Sequence, residues 1–269
     1  MKTILLLAHD DDGYEARLQA ALDVTRAVGG HLTCLDVVLP PLGLMYDEYA
    51  APAAAELMQM ERDRESALRT RTESRLTRED VAWDWQEAGG LAVDAVIGAA
   101  GLSDLVVLSL DLPASDVPEL RGLAAGVVQS ARRPVVAVPA SARGLDISGK
   151  VLVAWDSSRE ADDALRDAVP LLRLAAEVVL YDLDEPAGDF GLEAAATYLS
   201  RHGVHARAET GGRAAGGPIF AAILEKARAE GAAYIVMGAF SHAPTIEAIF
   251  GGVTRSMLAH SDIPLFLSH

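Results

Sequence analysis

The stretch from Ala232 to Leu267, AAYIVMGAFSHAPTIEAIFGGVTRSMLAHSDIPLFL, decides how the rest of the chain is read. Tyr234, Ile235, Val236 and Met237 form a short apolar run, the mark of a strand buried on both faces. Gly238 ends that run. Gly251-Gly252 stands just before Val253, Thr254, Met257 and Leu258, which recur at helical spacing, and Pro264 leads into a last apolar strand. A glycine loop that feeds a helix N-terminus exposes backbone N–H groups at the positive end of the helix dipole, an arrangement suited to anions.

The same alternation runs through the chain twice. The first pass places strands at Lys2–Ala8, His31–Val38, Val81–Glu87, Asp104–Ser109 and Val135–Val138. Helices fall at Tyr14–Val28, stopped by Gly29-Gly30, from Met45 to about Arg78, around Val93–Ala100 and near Glu119–Ala131. Pro139–Gly149 (PASARGLDISG) reads as a linker. The second pass places strands at Lys150–Ala154, Val178–Tyr181, Val204–Glu209 and the two of the opening stretch, with helices at Arg159–Ala175, Leu192–Ser200 and Ile219–Ala229. Thr3–His9 matches Lys150–Asp156 at an offset of about 147 residues and Leu102–Ser109 matches Gly231–Gly238 at 129, so the first half carries 18 more, most simply in the helix after Pro41.

Alternating strands and helices imply two tandem α/β domains, residues 1–142 and 147–269. Each is expected to be a doubly wound, mostly parallel five-stranded sheet flanked by helices. Ligands of such sheets bind beyond the carboxyl ends of the strands, where the strand order reverses. In the second half that rule brings together Asp156 and Gly238, which end its first and fourth strands.

Composition narrows the function. The formal net charge of −16 disfavours nucleic acid as a partner, although a small nucleotide held by backbone amides is still permitted. No apolar run reaches membrane-spanning length, and a cytoplasmic location is expected. Cys34 is the only cysteine, which removes disulfides and cysteine zinc sites and leaves a packing role. No metal site is expected.

These positions resemble a tandem member of the universal stress protein family, over nearly the whole chain. The resemblance implies an adenine nucleotide α-hydrolase-like fold. ATP-binding members carry G-x2-G-x9-G followed by Ser or Thr; here Gly238 and Gly251 hold the first and third glycine positions at the right spacing. Ser241 stands in place of the second glycine and Gly252 in place of the hydroxyl residue, while Thr254 matches a later hydroxyl. Asp156 matches the family's acidic residue at the nucleotide, and residues near Tyr181–Leu183 match those that meet adenine with backbone groups. Gly238 and Gly251 permit positive φ and close approach of a phosphate, and losing one hydroxyl bond costs about 1–3 kcal/mol. The resemblance thus implies ATP or ADP in the second half at Asp156, Gly238, Ser241, Gly251, Gly252 and Thr254, with Mg²⁺ only alongside nucleotide.

The first half departs further. Ser109 and Leu112 replace the first two glycines, Pro113, Asp111, Asp116 and Glu119 crowd the loop, and Leu123 follows Gly122. A count back from Pro134 shifts the third glycine position onto Arg121. His9 replaces the carboxylate that Asp156 supplies in the second half. This copy reads as degenerate for ATP.

Other constellations have plainer readings. Asp10-Asp11-Asp12 is similar to the acidic pocket of response-regulator receivers, but Glu87 and Pro139-Ala140 occupy the regions of the other two required residues, so a solvated turn is expected. The glycine run Gly211–Pro218 lacks the Lys-Ser/Thr ending of a P-loop and reads as a loop, with Arg213 its one basic group. His242 has no Ser or Cys nucleophile beside it, so no catalytic residue is assigned. Trp83, Trp85 and Trp155 are expected to pack sheet against helix, Trp155 also being placed to line an adenine pocket. The segment Met45–Arg78 reads as a helix capping its own domain, or else as a partner surface.

Taken together, the sequence reads as a stress-response or signalling module, not an efficient enzyme. Its halves are expected to pair as an intramolecular pseudo-dimer or the chain as a homodimer. No membrane is implied, and the protein partner is unnamed. A nucleotide-free interaction protein and a slow ATP hydrolase are the alternatives.

Overall fold

The computed structural model describes residues 1–38, 51–110, 120, 122–183, 191–212, 217–240 and 250–269. The first half supplies β1 (Thr3–Ala8), α1 (Tyr14–Val28), β2 (His31–Val38), α2 (Ala51–Leu76), β3 (Ala82–Gly89), α3 (Ala92–Ala99), β4 (Leu105–Ser109), α4 (Leu123–Ser130) and β5 (Val135–Val138). The second supplies β6 (Lys150–Ala154), α5 (Arg159–Leu172), β7 (Glu177–Asp182), α6 (Leu192–Arg201), β8 (Ala206–Thr210), α7 (Ile219–Glu230), β9 (Tyr234–Gly238), α8 (Phe250–His260) and β10 (Leu265–Ser268). The expected alternation is present in both halves.

Each half forms five parallel strands in the order 3-2-1-4-5, and the two sets join into one ten-stranded sheet, β3-β2-β1-β4-β5-β10-β9-β6-β7-β8. The join is antiparallel, with Leu265 opposite Ala137 and Leu267 opposite Val135. The halves therefore form a pseudo-dimer within one chain, and β5 and β10 cover each other's open edge. The outer edges belong to β3 and β8, which carry Asp84, Glu87, Arg207 and Glu209, charges that discourage further strand addition.

Apolar side chains on alternate strand positions face opposite ways, so each central strand feeds two cores. Leu6, Val107, Val153 and Val236 pack with α1, α2, α5 and α6 on one face. Leu5, Val106, Leu152 and Ile235 pack with α3, α4, α7 and α8 on the other. Cys34 is fully buried on the first face, as a core residue. The linker is also fixed: Leu145 and Ile147 are buried in that core, and Leu145 donates its N–H to Asp23 Oδ2 on α1 at 2.9 Å.

Strand pairing accounts for the uncertain match of the two loops. Val106 pairs with Val135 and Ile235 with Leu265, so the path between the last two strands is one residue longer in the second half. Gly122 accordingly stands before α4, as its N-cap, whereas Gly251 lies within α8.

Candidate functional site

The carboxyl ends of β6 and β9 lie side by side where the strand order of the second half reverses. Ala154 pairs with Met237, so Trp155 and Gly238 come next on each strand and Asp156 follows. The exposed Asp156 accepts the Ser158 N–H at Oδ1 (3.0 Å), and Ser158 Oγ in turn accepts the Ala161 N–H (3.1 Å), capping α5. Between them Ser157 is held at φ 61°, in the left-handed region that non-glycine residues rarely enter.

The end of β9 behaves alike. Phe240 has φ 55°, and its N–H donates to Thr254 Oγ1 at 3.1 Å inside the protein. Ala239 O meets His269 Nδ1 at 2.8 Å. Two non-glycine residues in the left-handed region thus stand at the ends of neighbouring strands, each held by side-chain bonds. Such strain costs about 1–3 kcal/mol per residue and clusters at binding sites.

Gly238 has a different reason from the one expected. Its φ is not positive. A Cβ there would stand 2.5 Å from Ala161 N and 2.6 Å from Glu160 C, so the absent side chain lets the strand end touch the start of α5. Thr254 is buried, and its oxygen accepts from Phe240. A hydroxyl keeps one proton to donate. Gly251 and Gly252 fall in the first turn of α8, where backbone N–H groups have no intrahelical partner. Ser241, His242 and Arg213 lie outside the described residues.

Trp155 packs sheet against helix as expected: it is buried in the core, and its Nε1 donates to Asp162 Oδ1 at 3.3 Å. The carbonyls of Tyr181 and Asp182 accept the N–H groups of Trp155 (3.0 Å) and Gly211 (2.8 Å), and each keeps a second lone pair.

In the first half Arg17 bridges the ends of β1 and β4. Arg17 of α1 is 1% exposed and donates to Leu7 O (2.8 Å), His9 O (3.0 Å), both Asp11 carboxylate oxygens (3.2 and 2.9 Å) and Ser109 Oγ. A planar guanidinium suits such a spread of acceptors. Ser109 occupies the place of Gly238, and the space it needs comes from Gly13, where a Cβ would overlap Ser109 Oγ.

The Asp10–Asp12 turn is therefore not simply solvated. Asp11 holds Arg17, and Asp10 pairs with Arg64 (3.1 Å) and Arg71 (2.8 Å) of α2. Burial raises the Asp10 carboxyl, but bonds and charge from Arg71 and Arg64 outweigh it and hold it below the usual range. α2 caps its own half, with Leu68 and Leu76 buried and Thr72 bonded to Tyr14 OH at 2.5 Å. It also buries Glu65 beside His9 and Asp36, and burial followed by the charge of Glu65 pushes Asp36 up to about 7. Sequence reasoning missed Arg17 and this cluster; the available signals were an arginine on the core-facing helix α1 and Glu61 with Glu65 one helical turn apart.

The fold is shared with known proteins. Residues 148–269 match the universal stress protein family. Over 99% of this chain and 96% of its own, a universal stress protein from Archaeoglobus fulgidus DSM 4304 superposes with a TM-score of 0.73 at 19% identity. A protein of Pseudomonas aeruginosa UCBPP-PA14 assigned to the same family does so with a TM-score of 0.55 at 16% identity, covering 100% of this chain and 93% of that one. No curated protein matches the sequence. Among the described residues no helix is long and apolar enough to cross a membrane.

Proposed function

The second half of this chain, residues 148–269, belongs to the universal stress protein family, and from that premise we propose that the protein is a tandem stress-response module whose second half binds ATP or ADP. In this reading residues 1–142 and 147–269 are two domains. Asp156, Gly238, Ser241, Gly251, Gly252 and Thr254 surround the nucleotide, with Mg²⁺ entering only with it. The observation that carries the reading is the pair of left-handed residues, Ser157 and Phe240, at adjoining strand ends of the switch point. The free N–H groups of the α8 first turn supply the phosphate donors.

Calorimetry with ATP and with ADP, each with Mg²⁺, tests the proposal. Saturable binding that Asp156→Asn weakens is expected; no heat at millimolar nucleotide overturns it. A second reading, a nucleotide-free interaction protein, is favoured by one observation: Thr254 and Gly238 already serve internal contacts with Phe240 and α5. The same titration separates the two.

A further inference from the structure

At the carboxyl ends of β1 and β2, where the second half is proposed to take nucleotide, the first half gathers a different set of groups. His9 is 1% exposed, Glu65 2% and Asp36 4%, while Glu61 is half-buried one turn before Glu65 on α2. Donor atoms of His9, Glu61 and Glu65 all lie within 4.8 Å of one another. Both ring nitrogens of His9, both carboxylate oxygens of Glu65 and Oδ1 of Asp36 are buried without a hydrogen-bond partner among the described residues.

Buried carboxylates left without a cation are strongly destabilising, and among the described residues the nearby arginines hold other carboxylates. Arg17 holds Asp11, Arg64 and Arg71 hold Asp10, and Arg69 holds Glu73 and Glu87. Among the described residues His9 is the basic group beside Glu65, and the Asp36 carboxyl lies against the same carboxylate. His9 Nδ1 lies 2.9 Å from Glu65 Oε1 without forming a hydrogen bond. Two cis ligands of a six-coordinate ion, each about 2.1 Å from it, approach each other to about 3 Å.

We propose that His9, Glu61 and Glu65, with Asp36 beside them, bind a divalent transition-metal ion in the first half. One imidazole with several carboxylates fits Zn²⁺ or Mn²⁺; it is too nitrogen-rich for a dedicated Ca²⁺ site and lacks the thiolates that select Cu(I). A divalent charge offsets the carboxylates and supplies partners for the orphaned oxygens. The ion would lock α2 onto the ends of β1 and β2. This site is independent of the proposed nucleotide site and is tested without nucleotide.

The test uses the full chain, free of any affinity tag and stripped with a chelator, titrated with Zn²⁺ and separately with Mn²⁺ against a competing chromophoric chelator. One equivalent bound per chain and a raised thermal midpoint are expected. Glu65→Gln and His9→Gln should each weaken binding by more than about tenfold. Glu61→Gln, at a half-buried position that the fold tolerates, should do the same, so the test survives a folding failure of the other two. Uptake of neither ion, or affinity unchanged by Glu61→Gln in a folded protein, overturns the proposal.

Discussion

Gly238 meets the first turn of α5 so closely that a Cβ would stand 2.5 Å from the amide nitrogen of Ala161. The first half solves the same crowding in reverse. There the strand ends in Ser109, and the space is left by Gly13 at the helix start. One glycine is kept at this strand–helix junction in each half, on opposite sides of it.

Gly238→Ala should therefore destabilise the protein by about 1–3 kcal/mol, since the atoms it meets are backbone and cannot turn away. In the first half Gly13→Ala should also destabilise, and Ser109→Gly in the same chain should recover part of the loss, a coupling of about 0.5–3 kcal/mol. Urea unfolding of the single and double variants measures both. A Gly238→Ala protein with an unchanged midpoint would show that the glycine is needed only for a ligand.

Removing Arg17 strands the Asp11 carboxylate and the carbonyls of Leu7 and His9. Arg17→Met should cost about 3–5 kcal/mol, the usual penalty for halving a buried ion pair. Arg17→Lys should recover little, because one ammonium cannot span Leu7, His9, Asp11 and Ser109. A lysine variant as stable as the parent would mean that charge alone matters there.

Cys34 sets an alkaline limit. Burial, with some help from the charge of Asp84, pushes its thiol up from 9.0 to about 12. Below pH 9.0 the thiol is protonated whether folded or not, and its contribution is fully present. Between pH 9.0 and about 12 only the unfolded thiol ionises, so stability falls, by at most about 1.4 kcal/mol per pH unit. Burial also raises Tyr14 and Tyr234, which add to the decline from pH 10.0 upward. Unfolding midpoints across this range should drop from pH 9, and in Cys34→Ala the drop should begin about one unit later. Native Cys34 should resist thiol reagents until urea unfolds the chain; prompt labelling would contradict its burial.

The order of elements was legible because it rests on local periodicity: apolar runs such as Tyr234–Met237, helical spacing in α5, and the repeat of the whole pattern. The switch-point rule then brought the ends of the first and fourth strands of the second half together, and the full strand order came from the structure. The chemistry of the strand ends was less legible. A glycine at position 238 satisfies phosphate approach and helix packing equally well, so spacing alone cannot separate them. The three aspartates after β1 looked like a solvated turn because the partners of Asp10 and Asp11, which are Arg17, Arg64 and Arg71, come from two different helices.

By itself the sequence determined two α/β halves, their parallel sheets and the likeness of the chain to one family, since each depends on neighbouring residues or on the duplication. Only the tertiary structure decided that β5 and β10 fuse the halves into one sheet, that Arg17 and α2 hold the aspartates after β1, and that His9, Glu61 and Glu65 meet. Those outcomes depend on contacts between residues far apart in the chain, where burial makes an unpaired charge costly and forces each group to find a partner. A linear pattern does not name that partner.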